Sequence, residues 1–264
     1  MLHILKKTMI VLCSLLLAAC QSHSDSVLSV GTIAGPETDL MEVAKQVALE
    51  RYGLKIRIVT FSDYMQPNSA LADGSIDANL FQHQAWLDQQ NRDHHYHLVA
   101  IGRGFVYPMG IYPGKTRTLQ ALPQNALIAL PNDPSNEGRA LLLLQKAGVI
   151  QLKANAGLYA TPADIVSNPH DVHFKELDAA QLARSLRDVD FAAINTNFAV
   201  LAGLSPVNDA VFREGSDSPY ANIIVVQENR RDDPRLKQLV AACQSDAVLK
   251  EAKKIFDGQA IPAW

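Results

Sequence analysis

The chain has 264 residues, 48% of them hydrophobic and 19% charged, with a formal net charge of −3. That is enough chain for one large or two modest domains with a substantial core, and it excludes both a disordered tail and an integral membrane bundle. A mildly acidic balance argues against nucleic acid as a partner, because phosphate binding calls for clustered Lys and Arg.

The first residues stand apart. Lys6 and Lys7 precede an apolar run at 9–19, MIVLCSLLLAA, which is too short to span a bilayer as a helix. This is the layout of a secretory signal peptide over 1–19. It ends in Leu17-Ala18-Ala19-Cys20, a pattern resembling the bacterial lipobox, in which a lipid-modified cysteine becomes the first mature residue. The alternative is an ordinary signal beside an incidental cysteine. Cys20 is therefore the expected lipidation site, and 20–26 (lipidated Cys20 followed by QSHSDS) the tether of a soluble body. Loss of 1–19 removes two lysines and no acid, so the mature charge is 22 − 27 = −5. Cys13 leaves with the signal and Cys20 carries lipid. Cys243 then stands alone, with no partner for an intramolecular disulfide, and LVAACQS reads as a helical stretch burying a small thiol.

After the tether, 27–33 (VLSVGTI) reads as a strand. Leu40, Val43, Ala44, Val47 and Ala48 recur at helical spacing within 37–52, and Gly53 stops that helix. The stretch 54–60 alternates as a half-buried strand. A short helix at 67–71, a strand at 76–81, a helix at 84–92 and a strand at 97–102 follow. This alternation predicts a mostly parallel sheet with helices on both faces. A long extended stretch, 105–112 (FVYPMGIY), then breaks the pattern. A second alternation has strands at 126–130, 172–177 and 190–194 and helices at 136–147, 179–187 and 196–202. A second extended run, 222–227 (NIIVVQ), precedes helices at 233–243 and 246–256. Two α/β units with two extended crossings predict two lobes, 27–107 with 226–264 and 108–225. Ligands in such folds sit in the cleft, near strand C-termini and helix N-termini.

Arg139, in PNDPSNEGRALLLL, sits near the start of a predicted helix, the end that already carries partial positive charge. Exposed helix N–H groups beside a guanidinium would suit a small carboxylate. The local alternative is an ion pair with Glu137 or Asp133, or a place on the surface. Aromatic and amide residues gather at other strand ends: Phe61 and Tyr64, Phe81 and His83, Asn195 and Asn197, Tyr220 and Asn222. Amide carbonyls suit an ammonium group, and aromatic rings suit an apolar or sulfur-bearing side chain. Each alone reads equally as core or cap, since Asn commonly caps helices. No GxSxG, HExxH or P-loop sequence is present, and His83 is the sole acid–base candidate for an enzyme on this scaffold. In DHHYH, His94, His95 and His97 lack ligand spacing, which favours a solvated turn over a metal site.

Several segments, FSDYMQPNSALADGSIDANLFQH, PMGIY, IALPNDPSNEGRALLLLQKAG, LDAAQLARSLRDVDFAAINTNFA, DSPYANIIVV and the ending AIPAW, resemble the methionine-binding lipoprotein family (the MetQ/NlpA type), the substrate-binding components of bacterial ABC importers. They extend from about residue 29 to the end of the chain. The resemblance implies a type II periplasmic-binding fold that captures L-methionine, without a cofactor. It implies a monomer tethered to a membrane that delivers its ligand to a permease with its ATPase. Carried over by position, Arg139 would hold the α-carboxylate with Asn136 in support, and Asn195 and Asn222 would hold the amino group. Phe61, Tyr64, Phe81 and His83 would line the side-chain pocket. In the empty open state Arg139 would be poorly compensated. Thr196, between the two asparagines where the family often has glycine, and the histidine cluster depart from the pattern. They leave D-methionine or a methionine-containing dipeptide open as ligand, and a surface adhesin as a different role.

Overall fold

The computed structural model describes residues 27–264; the expected signal peptide, Cys20 and the tether lie outside the described residues. In chain order the first part runs β1 (Leu28–Ile33), α1 (Pro36–Tyr52), β2 (Ile56–Phe61), α2 (Gln66–Ala72), β3 (Ala78–His83), α3 (Gln84–His94) and β4 (Leu98–Val106). The middle runs β5 (Gly110–Pro113), β6 (Leu127–Pro131), α4 (Pro134–Lys146), β7 (Gln151–Leu152), β8 (Ile165–Ser167), β9 (His173–Leu177), α5 (Leu182–Ser185), β10 (Phe191–Ile194), α6 (Thr196–Leu201) and β11 (Phe212–Arg213). The chain closes with β12 (Ala221–Gln227), α7 (Pro234–Cys243), α8 (Asp246–Ile255) and β13 (Ile261–Pro262).

The strands form two main sheets, ordered β13-β4-β12-β3-β1-β2 and β11-β5-β10-β6-β9, while β7 and β8 make a separate ribbon. Within each sheet the strands that lead into helices pair in parallel, β1 with β2 and β3, and β6 with β9 and β10. The chain passes from the first sheet to the second through residues 107–109 and returns through 214–220. The expected lobe boundary at 225/226 falls inside β12, all of which pairs with strands of the first sheet. The predicted extended stretch 105–112 is two strands in different sheets. Pro108, with no N–H to give a ladder, stands at the break. The predicted helix at 179–187 is a 3₁₀ turn at Ala179–Gln181 followed by the single turn α5. β11 and β13, two residues each, and the short β7–β8 ribbon carry too little pattern to be read from sequence.

Local chemistry explains the main elements. β1 is buried along its whole length between two parallel neighbours, with the polar Ser29 and Thr32 buried among Leu28, Val30 and Ile33. Pro36 opens α1 with Glu37 and Asp39 in its first turn, and Gly53 ends it in the left-handed conformation at φ 65°. The buried face of α1 (Leu40, Met41, Ala44, Val47, Ala48) packs with α7 and α8 over β1 and β12. Asp133 caps α4 by accepting the Asn136 N–H at 2.8 Å. A second core fills the other lobe, and a third apolar cluster joins both, bringing Ile33, Phe81 and Trp86 against Tyr112, Ala129, Ile194 and Phe198.

One glycine is set by close approach. A Cβ on Gly138 would lie 2.4 Å from the Leu158 carbonyl oxygen and 2.8 Å from the Ala160 nitrogen, because α4 packs directly on that turn. Backbone atoms cannot swing aside as a side-chain tip can. Gly138→Ala is expected to cost about 1–3 kcal/mol. Thermal unfolding measures it, and an unchanged Tm would contradict this packing.

Candidate ligand-binding site

A cavity lies between the two sheets and is lined by residues of both. Every wall comes from an element end. Glu37 is in the first turn of α1, after β1. Tyr64 follows β2, and Phe81, Gln82 and His83 end β3. Trp86 is in the first turn of α3, and Tyr107 is in the outgoing crossing. From the other lobe, Asn136 and Arg139 come from the N-terminal part of α4, and Asn195, Thr196 and Asn197 from the start of α6. Asn222 belongs to β12, where the antiparallel register sets it opposite His83.

Seven of the eight ligand residues expected from sequence share this cavity: Arg139, Asn222, Asn195, Tyr64, Phe81, His83 and Asn136. Phe61 is not among the lining residues. It ends β2, its ring lies over Gly31 where a Cβ would come within 3.0 Å, and it packs on the clusters around Phe81 and Ile76. The lining residues Glu37, Gln82, Trp86, Tyr107, Thr196 and Asn197 were not expected as ligand contacts. Only Asn197 carried a signal, as the second asparagine of AINTNFA.

Arg139 is 4% exposed and is paired with Glu214, a partner that the expectation of a poorly compensated cation in the empty open state did not include. Its Nε donates to Glu214 Oε1 at 2.8 Å and its Nη2 to Glu214 Oε2 at 2.6 Å, a bidentate pair in a nearly dry setting. Nη2 also donates to the Tyr107 carbonyl at 2.9 Å, and the guanidinium carbon sits 4.4 Å from the Tyr220 ring centroid. The partner is 75 residues downstream, on the returning crossing, rather than Glu137 or Asp133. Burial opposes the charge on Arg139, and Glu214 outweighs it, raising the pKa further. Among the described residues no hydrogen bond uses Nη1, so one edge of the fork is uncommitted.

The polar end is tied across the lobes. Asn195 Nδ2 donates to Asn136 Oδ1 at 2.9 Å, and His83 Nε2 lies 3.3 Å from the same oxygen. His83 Nδ1 accepts the Trp86 N–H at 3.2 Å, so the ring also caps α3. Burial and the nearby Arg139 charge push His83 down to about 3, so the imidazole is neutral at physiological pH. The Asn136 N–H and amide group are both held by Asp133, which fixes the direction of its Oδ1. Asn222 Nδ2 donates to Glu37 Oε1 at 2.8 Å. Thr196 Oγ1 donates to the Pro108 carbonyl, and Tyr159 Oη to that of Ala85 at 2.8 Å. Five buried polar atoms around this region have no hydrogen-bond partner among the described residues: Glu37 Oε2, Trp86 Nε1, Asn195 Oδ1, Asn197 Nδ2 and Tyr220 Oη. Buried polar groups are ordinarily paired, so such a concentration marks a place built for another molecule.

The opposite end is aromatic. Tyr64 lies 5.9 Å from Phe81, 5.8 Å from Trp86 and 4.9 Å from Phe198, centroid to centroid. The cavity thus offers a cationic edge and unpaired acceptors at one end and rings at the other. That suits a zwitterionic head carrying an apolar or sulfur-bearing tail.

Other candidate features lie away from this cavity. His94 stacks on Tyr96 at 5.2 Å, and His95 caps α3 at φ 56°. Among the described residues no group of three or more His, Cys, Asp or Glu side chains could hold a metal ion, and no helix is long and apolar enough to cross a membrane. Cys243 is buried, and burial pushes its thiol up to about 12.

Residues 28–264 match the family described as NlpA lipoprotein. The D-methionine-binding lipoprotein MetQ of Salmonella typhimurium is 48% identical over 255 residues, covering 95% of this chain and 94% of that one. Among solved structures, a periplasmic substrate-binding protein of an ABC transporter from Coxiella burnetii is 62% identical, with a TM-score of 0.88 over 90% of this chain and 100% of the other. A nutrient-binding protein from Burkholderia cenocepacia bound to methionine is 48% identical, with a TM-score of 0.88 over 90% and 100% of the two chains.

Proposed function

The chain belongs to the NlpA lipoprotein family, and from that membership we propose that it captures L-methionine and delivers it to an ABC permease with its ATPase. The body is held at a bacterial membrane by lipid on Cys20, in the cell envelope, and acts as a monomer. The observation that carries this reading is the shared enclosure of the open Arg139 edge, the unpaired Asn195 carbonyl oxygen and the Tyr64–Phe81–Trp86 rings. Nη1 of Arg139 takes the ligand carboxylate, with Asn136 supporting that end. Asn195 and Asn222 present amide oxygens to the amino group, and the thioether lies among the rings near His83. The names of the relatives above support the ligand class, and methionine in the Burkholderia cenocepacia structure supports the ligand itself.

The two sheets are the lobes, and the crossings at 107–109 and 214–220 are the hinge. A ligand with both a charged head and a long side chain touches both lobes, so it stabilises the closed arrangement over the open one. The role is binding, not turnover. Native mass spectrometry of the purified protein tests this, with methionine expected to co-purify and to be recovered unchanged. Calorimetry on refolded, ligand-free protein with each enantiomer then ranks L- against D-methionine. Protein that carries nothing and binds neither enantiomer would overturn the proposal, and a ligand recovered chemically altered would point to an enzyme instead.

A further inference from the structure

Glu37 has no place in the sequence expectation, yet it is the most unusual group in the cavity. It is 6% exposed and lines the pocket from the first turn of α1. Its Oε1 accepts from Asn222 Nδ2 at 2.8 Å, and its own N–H points at Asn197 Oδ1 at 3.4 Å. Its Oε2 is buried with no partner in the protein. A carboxyl group so placed is costly unless something meets it.

We propose that Glu37 is the anionic partner of the ligand's ammonium group, its Oε2 accepting one of the ammonium N–H bonds beside Asn195 Oδ1. This rests on the amino-acid reading above and adds to it the residue that demands the amine. An ammonium carries three donors and no acceptor. Glu37 Oε2 and Asn195 Oδ1 are unpaired acceptors in one cavity, and Asn222 holds the carboxyl group in place through its other oxygen.

The surrounding charges leave this role open to the ligand. The titratable groups facing Glu37 are Tyr64, His83 and Arg139 in the pocket, Tyr107 on the crossing and Cys243 on α7. His83 is neutral and Arg139 is paired with Glu214, and among the described residues no cation makes an ion pair with Glu37. Burial therefore holds its carboxyl well above the usual range, with the Asn222 hydrogen bond working weakly the other way. That shift favours the protonated acid in the ligand-free protein. When the ammonium arrives, the O–H bond of Glu37 breaks, the electron pair stays on the carboxylate and the proton leaves to solvent. A group that must ionise for binding weakens affinity at pH below its free-state pKa. Affinity for methionine accordingly rises with pH through that value and then levels off.

The probes are L-methionine and 4-(methylthio)butanoate, which keeps the carboxylate and thioether but lacks the amine. Glu37→Gln preserves the acceptor for Asn222 and replaces Oε2 by a donor. This variant is expected to bind methionine at least about 30-fold more weakly while its affinity for the amine-free analogue stays within about threefold. Unchanged methionine binding, or equal weakening of both ligands, would overturn the proposal. Should the variant fail to fold, the wild-type protein decides by calorimetry at about pH 5 in two buffers of different protonation enthalpy. Proton release on binding methionine in excess of that seen with the analogue, whose own alkyl carboxyl is still partly protonated at this pH, is the expected result. Identical heats in both buffers, after correction for dilution, would overturn it. Wild-type protein that binds neither probe would instead sink the methionine reading on which it rests.

Discussion

Arg139→Ala is expected to lose methionine binding and, separately, about 3–5 kcal/mol of folding stability. The two losses have different origins. Removing the guanidinium takes a charge-assisted partner from the ligand carboxylate, worth about 2–5 kcal/mol of binding. It also strands Glu214, whose side chain is 10% exposed, leaving it only the Met109 N–H at 2.9 Å and the Ser218 hydroxyl at 3.1 Å. The stability deficit of Arg139→Ala should appear as a lowered unfolding midpoint in urea, with the slope unchanged. Replacing both partners, Arg139→Met with Glu214→Leu, should restore much of the stability without restoring binding, because a buried ion pair is often no better than apolar packing. Calorimetric affinity that survives the single substitution would remove Arg139 from the site.

The second large effect is expected at Trp86. It is 2% exposed, lines the cavity, and packs 5.8 Å from Tyr64 and 6.4 Å from Phe81 within the apolar cluster that joins the lobes. Trp86→Ala should cost about 3–5 kcal/mol of stability through the void it leaves. It should also weaken methionine binding, since the tail loses a wall. Trp86 Nε1 is buried without a hydrogen-bond partner, so Trp86→Phe removes an unsatisfied donor as well as volume and should be the milder change. The protein has two tryptophans, and Trp264 is 45% exposed. A binding-dependent fluorescence change should thus disappear with Trp86 and persist in Trp264→Phe. A signal that follows Trp264 instead would place the ligand elsewhere.

These two residues show different limits of local reading. Arg139 was visible because a cation at a helix start breaks a local rule, and Asp133, Pro134 and the apolar run after it marked that helix clearly. Its compensation was not visible, because Glu214 is 75 residues away and is delivered by a chain crossing. Trp86 and Glu37 gave no signal at all. Trp86 reads as an ordinary apolar residue of an amphipathic helix, and Glu37 as the acid commonly found in a first helical turn. Phe61 differs in the opposite sense: it stands at a strand end like the others, but it is not among the lining residues and its side chain packs over Gly31.

What the sequence by itself determined is what short range encodes. Apolar periodicity and glycine at helix ends placed the principal strands and helices of both lobes. The order of these elements implied two α/β units with two crossings, and the long motifs carried the family resemblance. Only the tertiary structure decided which side of each element end faces the cleft. It brought Glu37 of α1, Asn222 of β12 and Asn195 before α6 into one enclosure and left Glu37 Oε2 and Asn195 Oδ1 unpaired there. Those pairings depend on the register of β12 against β3 and on how the two sheets meet. Both are set by side chains far apart in the chain, so no local pattern contains them.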